Sequence, residues 1–470
     1  MIPVAEFEGR TVAVYGLARS GISAAKVLLA GGANVIAWDD KPDARAAGAK
    51  LGLTVADLSL RNWSDVAALI LSPGVPLTHP APHPFVERAR QAGAEVIGDM
   101  ELFARAVSGN SAGAKIVAIT GTNGKSTTTA LIGHVLARLG FNAQVGGNIG
   151  NPVLDLAPPS AGIVYVLELS SYQLDLAPSL KPDVAVLINI TPDHIDRHGS
   201  MEHYAEVKGY IFRHQTRGDI AVIGVDDAYS AALCTQVSSH AGPTVMPVSV
   251  GKVLGRGVFV LDGKLYDAGG ATTREIRDLR SLSHLPGAHN WQNIAAAYAA
   301  TRSLVKDPRD IAGAIATFPG LAHRIEQVGT IGHVRFVNDS KATNAEAAAK
   351  ALACYDNIYW IAGGKAKEGG IESLAPFFPR IRKAYLIGAA TDRFAETLNG
   401  HVEFDRSGTL DAAMRSAAAD APQARDGEPV VLLSPACASF DQFRDFEHRG
   451  DEFKRVFAIL AEEARLRGAA

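Results

Sequence analysis

The chain has little cysteine. Its three cysteines, Cys234, Cys354 and Cys437, are odd in number and far apart. Such a set builds neither a disulfide framework nor a cysteine metal site, and it fits a reducing compartment. No apolar run is long enough to span a bilayer, which excludes membrane insertion through a helix. The opening residues, Met1-Ile2-Pro3-Val4-Ala5-Glu6, lack the basic-then-apolar pattern of a secretory leader, so the expected location is the cytoplasm. No charge of one sign dominates. Lys and Arg number 46 against 49 Asp and Glu, a net charge of −3, and this leaves no electrostatic footprint for nucleic acid or an anionic membrane. There is no short repeat, low-complexity tract, coiled-coil heptad or exposed apolar run, so a monomer is expected. What is present is 47% apolar and 20% charged residues over 470 positions, the composition of a globular protein with room for about three domains.

The chain is organised around residues 118–129, Ala-Ile-Thr-Gly-Thr-Asn-Gly-Lys-Ser-Thr-Thr-Thr. The run Ile116 to Ile119 predicts a buried strand. The stripe Leu131, Val135 and Leu139 predicts a helix over 127–139. Strand, glycine-bracketed loop, Lys-Ser and helix form the mechanical recipe for holding a triphosphate. Backbone N–H groups and the helix N-terminus face the phosphates, Lys125 adds positive charge, and the Ser126 hydroxyl suits magnesium. The usual consensus has a glycine six residues before the lysine, where this chain has Ile119. Gly121-Thr122-Asn123-Gly124-Lys125-Ser126 is thus a shortened variant. A mere glycine turn capped by Ser126 leaves Lys125 at the turn unexplained.

Strands and helices alternate on both sides of this loop, which implies α/β architecture with mostly parallel sheets. Near the start, strand 11–15, a turn at Gly16, a helix striped by Ile22, Ala25 and Leu29, and strand 34–38 ending at Asp39-Asp40 make the opening βαβ of a nucleotide-binding unit. Its fingerprint, Gly16-Leu17-Ala18-Arg19-Ser20-Gly21, has alanine at the middle glycine, where a Cβ crowds a pyrophosphate. NAD is therefore disfavoured against another nucleotide-like ligand or a purely structural turn. A strand over 67–71 runs into Ser72-Pro73-Gly74 at its carboxyl end, where open α/β sheets bind ligands. Residues 107–114, rich in Ser, Gly and Ala, are expected to be a linker. Residues 251–271 predict a β-hairpin turning at Asp262-Gly263. Residues from His289 predict an alanine-rich helix, and 318–326 predict a second boundary. Further strands are expected at 163–169, 184–190, 334–337, 358–361, 383–387 and 430–433.

Several strand ends carry chemistry. Glu168 ends a buried strand and is placed to hold magnesium, a hard ion that prefers oxygen ligands. Asp193-His194 follow another strand, a position suited to metal or phosphate. Lys208 lies on the apolar face of Tyr204, Val207 and Ile211. Its stem alone could pack there with the ammonium in water. If the amine is buried, its pKa falls, and the neutral form can add carbon dioxide to become a carbamate, a second magnesium ligand near His194. In the last third, Asn338 to Asn344, Gly363 to Lys367 and Ser434 to Phe443 each follow a strand with small residues, hydroxyls and lysines. One such turn is an ordinary helix cap. Three suggest a binding edge for an anionic substrate.

These residues resemble the Mur ligases of peptidoglycan synthesis over nearly the whole chain. The matching pieces are Gly121 to Thr127, Asn148-Ile149-Gly150, Glu168-Leu169-Ser170-Ser171, Asp193-His194, Lys208, His289-Asn290 with Asn293, and His323-Arg324. They continue with Asp339 to Asn344, Gly363-Gly364 with Lys367, and Ser434 to Phe443. Asp339-Ser340-Lys341 and Ser-Pro-Ala-Cys-Ala-Ser point to the D-glutamate-adding branch. The resemblance implies three domains: a Rossmann-like domain over 1–107 for the UDP part, a central ATPase over 108–321, and a C-terminal Rossmann-like domain over 322–470. It implies that the carboxylate of UDP-N-acetylmuramoyl-L-alanine takes the γ-phosphate of ATP, and that the amine of D-glutamate displaces phosphate. It implies catalytic roles for Lys125, Glu168, His194 and Lys208. One Mg2+ would be held by Ser126 and Glu168, and a second by His194 and carbamylated Lys208. ATP contacts fall on Gly121, Thr122, Asn123, Gly124, Lys125, Ser126, Thr127, Asn290, Asn293, Arg324 and Asp339. Leu17, Ala18, Asp39 and Gly74 match the uridine side. Asn148, Ser170 and Lys341 count with the substrate contacts, and Thr343, Lys367, Ser439 and Phe446 match positions that hold D-glutamate.

The chemistry agrees with this assignment. A carboxylate and an amine do not condense in water without activation, and phosphoryl transfer relies on positioning and charge neutralisation. A closing domain would protect an acyl phosphate from water. Other amide ligases of the same type, including those that extend folate with glutamate, share the central motifs. A small-molecule kinase would share the loop but need no amine. A non-catalytic nucleotide sensor would leave Glu168, His194 and Lys208 without a task.

Overall fold

A computed structural model describes residues 1–108, 113–239, 241–282, 284–366, 370–424 and 427–468. The chain divides into two compact units. The first comprises Met1–Arg280 and Asn290–Phe318, the second Ser281–His289 and Pro319–Ala470.

The first unit carries two sheets. The N-terminal sheet contains β1 (Thr11–Tyr15), β2 (Asn34–Trp38), β3 (Val66–Leu71) and β4 (Glu95–Ile97), all parallel, in the order β2-β1-β3-β4. Its inner strands are unbroken apolar runs because helices cover both faces. The chain leaves β1 to one side for β2 and to the other for β3. The carboxyl ends of β1 and β3 therefore form a switch point, the crevice where such sheets take ligands.

The second sheet contains β5 (Lys115–Thr120), β6 (Asn142–Gly147), β7 (Ile163–Glu168), β8 (Val184–Leu187), β9 (Ile220–Gly224), β10 (Thr244–Val250), β11 (Val258–Leu261), β12 (Lys264–Asp267) and β13 (Arg274–Asp278). Its order is β13-β12-β11-β10-β9-β8-β5-β7-β6. Pairing is parallel from β6 to β11 and antiparallel in β11-β12-β13. The expected hairpin is β11-β12. Asp262 and Gly263 both have positive φ, 49° and 74°, the backbone of a tight two-residue turn. The switch point of this sheet is at β5, flanked by β7 and β8, so the loop of residues 121–124 sits between Glu168 and the segment after β8.

The second unit is built on β14 (Glu326–Ile331), β15 (Val334–Asn338), β16 (Ile358–Gly363), β17 (Ile381–Ile387), β18 (Phe404–Gly408) and β19 (Val430–Leu433), in the order β14-β15-β19-β16-β17-β18. Only β14 runs antiparallel. The central trio β15, β19 and β16 are the strands whose following turns the sequence singled out.

Most expected strands differ from the observed ones by one or two residues at an end, and three differences have a local cause. The helix after the phosphate loop is Lys125–Arg138, starting at the lysine rather than at Thr127, because Gly124 at φ 87° already serves as its left-handed cap. Strand β8 stops at Leu187 rather than 190. The Ile188 N–H still bonds the Thr120 carbonyl at the end of β5, and Asn189 then turns to bond the phosphate loop. The helix Asp99–Ser108 takes in the first two residues of the expected linker, since Val107 is buried on its apolar face. Residues 109–112 of that linker lie outside the described residues.

Candidate active site

The phosphate loop is held from beneath by the segment after β8. The Asn189 carbonyl accepts from the Thr122 N–H at 2.9 Å, and Asn189 Oδ1 accepts from the Asn123 N–H at 2.9 Å. Thr122 Oγ1 accepts from the Thr191 N–H at 3.0 Å and lies 3.2 Å from the Tyr204 hydroxyl. Behind the loop stands the helix Ala288–Thr301. A Cβ on Gly124 would come within 2.1 Å of Asn293 Oδ1, so only glycine fits both the cap and the approach. Asn293 Oδ1 also accepts from Thr128 Oγ1 at 3.3 Å, and its amide donates to Asn290 Oδ1 at 3.1 Å. Asn290 and Asn293 thus fix the loop's second glycine from within the fold.

Two lysines converge on the same carbonyl. Lys125 Nζ donates to the Gly121 and Thr122 carbonyls, both at 2.9 Å, and Lys208 Nζ donates to the Gly121 carbonyl at 2.9 Å. Lys208 is 1% exposed on the helix Met201–Gly209, with its ammonium 4.6 Å from the centre of the Tyr204 ring. Burial, reinforced by the charge of Lys125, holds its pKa well below the usual lysine value. The bland expectation, a packed stem with the ammonium in water, is thereby excluded.

Glu168 is buried. Its Oε1 accepts from Asn148 Nδ2 at 2.7 Å, while Oε2 is buried without a hydrogen-bond partner. Its neighbour Ser170 caps a short helix through the Gln173 N–H at 3.2 Å and is half-buried. His194 adopts a left-handed conformation, φ 55°, and half of its ring is exposed. Its Nε2 lies 3.3 Å from Asp193 Oδ2. Burial chiefly lowers its pKa; Asp193 opposes this, and the charges of Lys125 and Lys208 add to it. The structure therefore brings Lys125, Ser126, Glu168, His194 and Lys208 to one sheet edge. Among the described residues, no group of three or more His, Cys, Asp or Glu side chains is placed to hold a metal ion. The oxygen donors available are instead Ser126 and the unpartnered Glu168 Oε2, which suit a hard cation.

At the N-terminal sheet, Gly16 (φ 94°) turns against Ser72, whose Oγ donates to the Gly16 carbonyl at 2.9 Å. Asp39 Oδ2 accepts from the Leu17 N–H at 2.7 Å, and Ala18 is the cap of the helix Arg19–Ala30 without a side-chain bond. The Gly74 carbonyl accepts from Arg197 Nη1 at 2.8 Å. Leu17, Ala18, Asp39 and Gly74 thus lie around the switch point of that sheet.

In the second unit, Asp339 is buried. Its Oδ2 accepts from Ser434 Oγ at 2.8 Å and its Oδ1 from the Ile325 N–H at 3.2 Å. Burial pushes its pKa up to about 7, against the hydrogen bond from Ser434 and the charge of Arg324. Arg324 stands between two left-handed residues, His323 (φ 62°) and Ile325 (φ 45°), and its Nε is buried without a hydrogen-bond partner. Lys341 Nζ lies 5.3 Å from the Phe446 ring centre. Thr343 is half-buried beside it, its N–H bonded to the Lys341 carbonyl at 2.9 Å. Ser439 is buried, and its carbonyl accepts from the Phe443 N–H at 2.8 Å. Lys367 lies outside the described residues.

Sequence reasoning missed Asn189, Tyr204 as a partner of the loop, and Arg449. Asn189 was legible as the single amide in the apolar run 184–190. Arg449 heads the buried stripe Arg449, Phe453, Val456 and Leu460, where its charge breaks the apolar period.

A glycine loop at a parallel-sheet switch point, with a lysine at the helix start and a buried carboxylate beside it, defines a nucleotide-binding α/β protein of the phosphate-loop class. The chain belongs to the Mur ligase family. Residues 119–301 match the Mur ligase middle domain. A UDP-N-acetylmuramoylalanine--D-glutamate ligase from Phenylobacterium zucineum is 57% identical over 464 residues, covering 98% of this chain and 99% of its own. One of the same name from Caulobacter vibrioides is 58% identical, covering 97% of each chain. Among solved structures, UDP-N-acetylmuramate-alanine ligase MurC from Thermotoga maritima superposes with a TM-score of 0.56 at 18% identity, covering 96% of this chain and 99% of its own. MurF from the same organism, in complex with ADP, gives 0.53 at 20% identity, covering 82% and 92%. These two share the fold.

Proposed function

We propose that this protein is an ATP-dependent ligase that adds D-glutamate to UDP-N-acetylmuramoyl-L-alanine through an acyl-phosphate intermediate, in peptidoglycan precursor synthesis. The observation that carries the reading is identity of 57% to a ligase so named, across nearly the full length of both chains. The site supplies the parts such a reaction needs. The loop N–H groups and Lys125 would take the phosphates of ATP. Lys125 would exchange its bonds to the Gly121 and Thr122 carbonyls for phosphate oxygens. Asn148 orients Glu168 by holding one oxygen and leaving the other free. Ser126 and Glu168 would hold one Mg2+, and His194 with a carbamylated Lys208 a second. Bound there, magnesium would neutralise charge on the transferring phosphoryl group. Lys208 fits that modification because its amine is buried and its pKa depressed.

Leu17, Ala18, Asp39 and Gly74 would receive the uridine nucleotide, with Asn148 and Ser170 on the sugar-peptide side. Arg324 and Asp339 would contact ATP, and Lys341, Thr343, Lys367, Ser439 and Phe446 would hold D-glutamate. We take residues 1–107, 108–321 and 322–470 as the three functional domains, and the protein as a cytoplasmic monomer. Among the described residues no helix is long and apolar enough to cross a membrane.

The test is phosphate release from ATP with UDP-N-acetylmuramoyl-L-alanine, with and without D-glutamate. Release that requires D-glutamate is expected. Release without any amino acid would make the protein a kinase or ATPase, and preference for a diamino acid or a folate would move it to another branch.

A further inference from the structure

Arg449 of the second unit is committed to the interior. It lies near the start of the helix Phe446–Gly468 and is 1% exposed. Its Nε donates to Ser340 Oγ at 2.9 Å, and its Nη2 donates to the Ser340 and Cys437 carbonyls at 2.8 and 3.1 Å. Ser340 Oγ in turn donates to the Phe446 carbonyl at 2.8 Å, closing a small ring of bonds. The third strand-end turn reaches the same group. A Cβ on Gly364 would stand 3.2 Å from Nη1, and Nη1 is buried with no hydrogen-bond partner. The turns after β15, β19 and β16 therefore meet at one guanidinium.

The cation is poorly compensated. Its hydrogen bonds go to a hydroxyl and two carbonyls, and Asp441 and Asp339 act on it only through space. Burial draws its pKa down to about 10. Apolar side chains of similar volume often stabilise a fold as well as buried charge does, so stability alone is a weak reason for this residue. A lysine would bring a point charge without the planar fork that spans separate acceptors.

We propose that Arg449 is a positioning residue for the amino-acid substrate: its guanidinium sets three turns in one arrangement and supplies the positive charge beneath them that draws a dicarboxylate. This rests on the D-glutamate reading given above. No contact between Arg449 and the substrate is needed. The group acts through Ser340, Cys437 and Gly364, whose turns carry Lys341, Thr343 and Ser439.

The test is steady-state kinetics of the full chain with each of three substrates varied in turn, with melting curves as a control for folding. Arg449→Lys keeps the charge and loses the fork. It should raise KM for D-glutamate about ten- to hundredfold, the loss of one or two charge-assisted bonds, and leave KM for ATP and for the nucleotide sugar unchanged. Ser340→Ala removes one arm and should show the same selective effect at about three- to tenfold, which keeps the proposal falsifiable if the lysine variant fails to fold. An unchanged KM for D-glutamate in a folded variant overturns the proposal, as does a joint rise of all three KM values. If the wild-type protein couples a different amino acid, the substrate reading fails, and the same comparison is then read on that amino acid.

Discussion

Lys208 and Asp339 are buried, and burial displaces both pKa values toward the neutral form; each yields a test on a single side chain. Lys208 has its amine against the Gly121 carbonyl and the Tyr204 ring, with Lys125 close enough to repel a second charge. Replacing it with alanine removes the buried amine that would carry the carbamate. Lys208→Ala should lower turnover at least about a hundredfold, the scale of a lost transition-state contact, and acetate or another short carboxylate should restore part of it. Full activity in the variant sinks the carbamate. Asp339 makes a prediction about stability. Its folded pKa, about 7, is raised above the unfolded value by burial. Its neutral form therefore favours the fold below about pH 4, and this contribution is lost as pH rises through about 7. The shift corresponds to at most about 4 kcal/mol. Urea unfolding of Asp339→Asn should lack that decline between pH 4 and 7, whereas parallel profiles for variant and wild type refute it.

At the scale of elements, the phosphate loop and the helix Ala288–Thr301 form one mechanical unit. Gly124 needs φ 87°, and its hydrogen faces Asn293 Oδ1 where a methyl would stand 2.1 Å away. Gly124→Ala combines a left-handed alanine with a steric clash, and should cost about 2–4 kcal/mol. Adding Asn293→Ala opens the space and should recover part of the stability but none of the activity, since the amide that orders the loop is gone. Denaturant midpoints of the two single variants and the double variant give the coupling, and additive midpoints sink the idea. Much of this unit was legible beforehand. Alternating apolar strands, the loop and the Asp262-Gly263 hairpin follow from local periodicity and turn chemistry. What was not legible depends on partners distant in the chain. Asn293 meets Gly124 across 169 positions, Asn189 leaves its strand early to hold the loop, and Gly124 starts the helix two residues before the apolar stripe suggests. The three strand-end turns could be read as substrate-binding, yet that β15, β19 and β16 are neighbours follows only from the crossover order. Arg449 was visible as a charge in an apolar stripe, but its meaning required seeing what lay beneath it.

At the scale of the whole molecule, the number of sheets and the number of cores differ. In the first unit, one apolar cluster runs from Ile2, Val12 and Ile70 through Met100, Leu102 and Phe103 to Ile116, Tyr165 and Ile223. The helix Asp99–Ser108 lies within this cluster, with Phe103 edge-on to Tyr165 of β7 at 5.1 Å between ring centres. The first two sheets thus share buried side chains, and neither can lose its packing without exposing the other's. In the second unit, separate clusters cover the two faces of a single sheet. One contains Trp360, Leu386 and Phe394, and the other Phe336, Tyr385 and Phe453. Cooperativity follows shared cores rather than sheet count, because unfolding is all-or-none only where the loss of one contact exposes the rest. Calorimetry should therefore show two transitions. Phe103→Ala and Phe453→Ala each delete a fully buried ring and should each cost about 3–5 kcal/mol. The first should lower one transition and leave the other in place, and the second should do the reverse. Three independent transitions would separate the N-terminal sheet from the second sheet, and a single variant that lowers both transitions equally would show that the two units unfold as one.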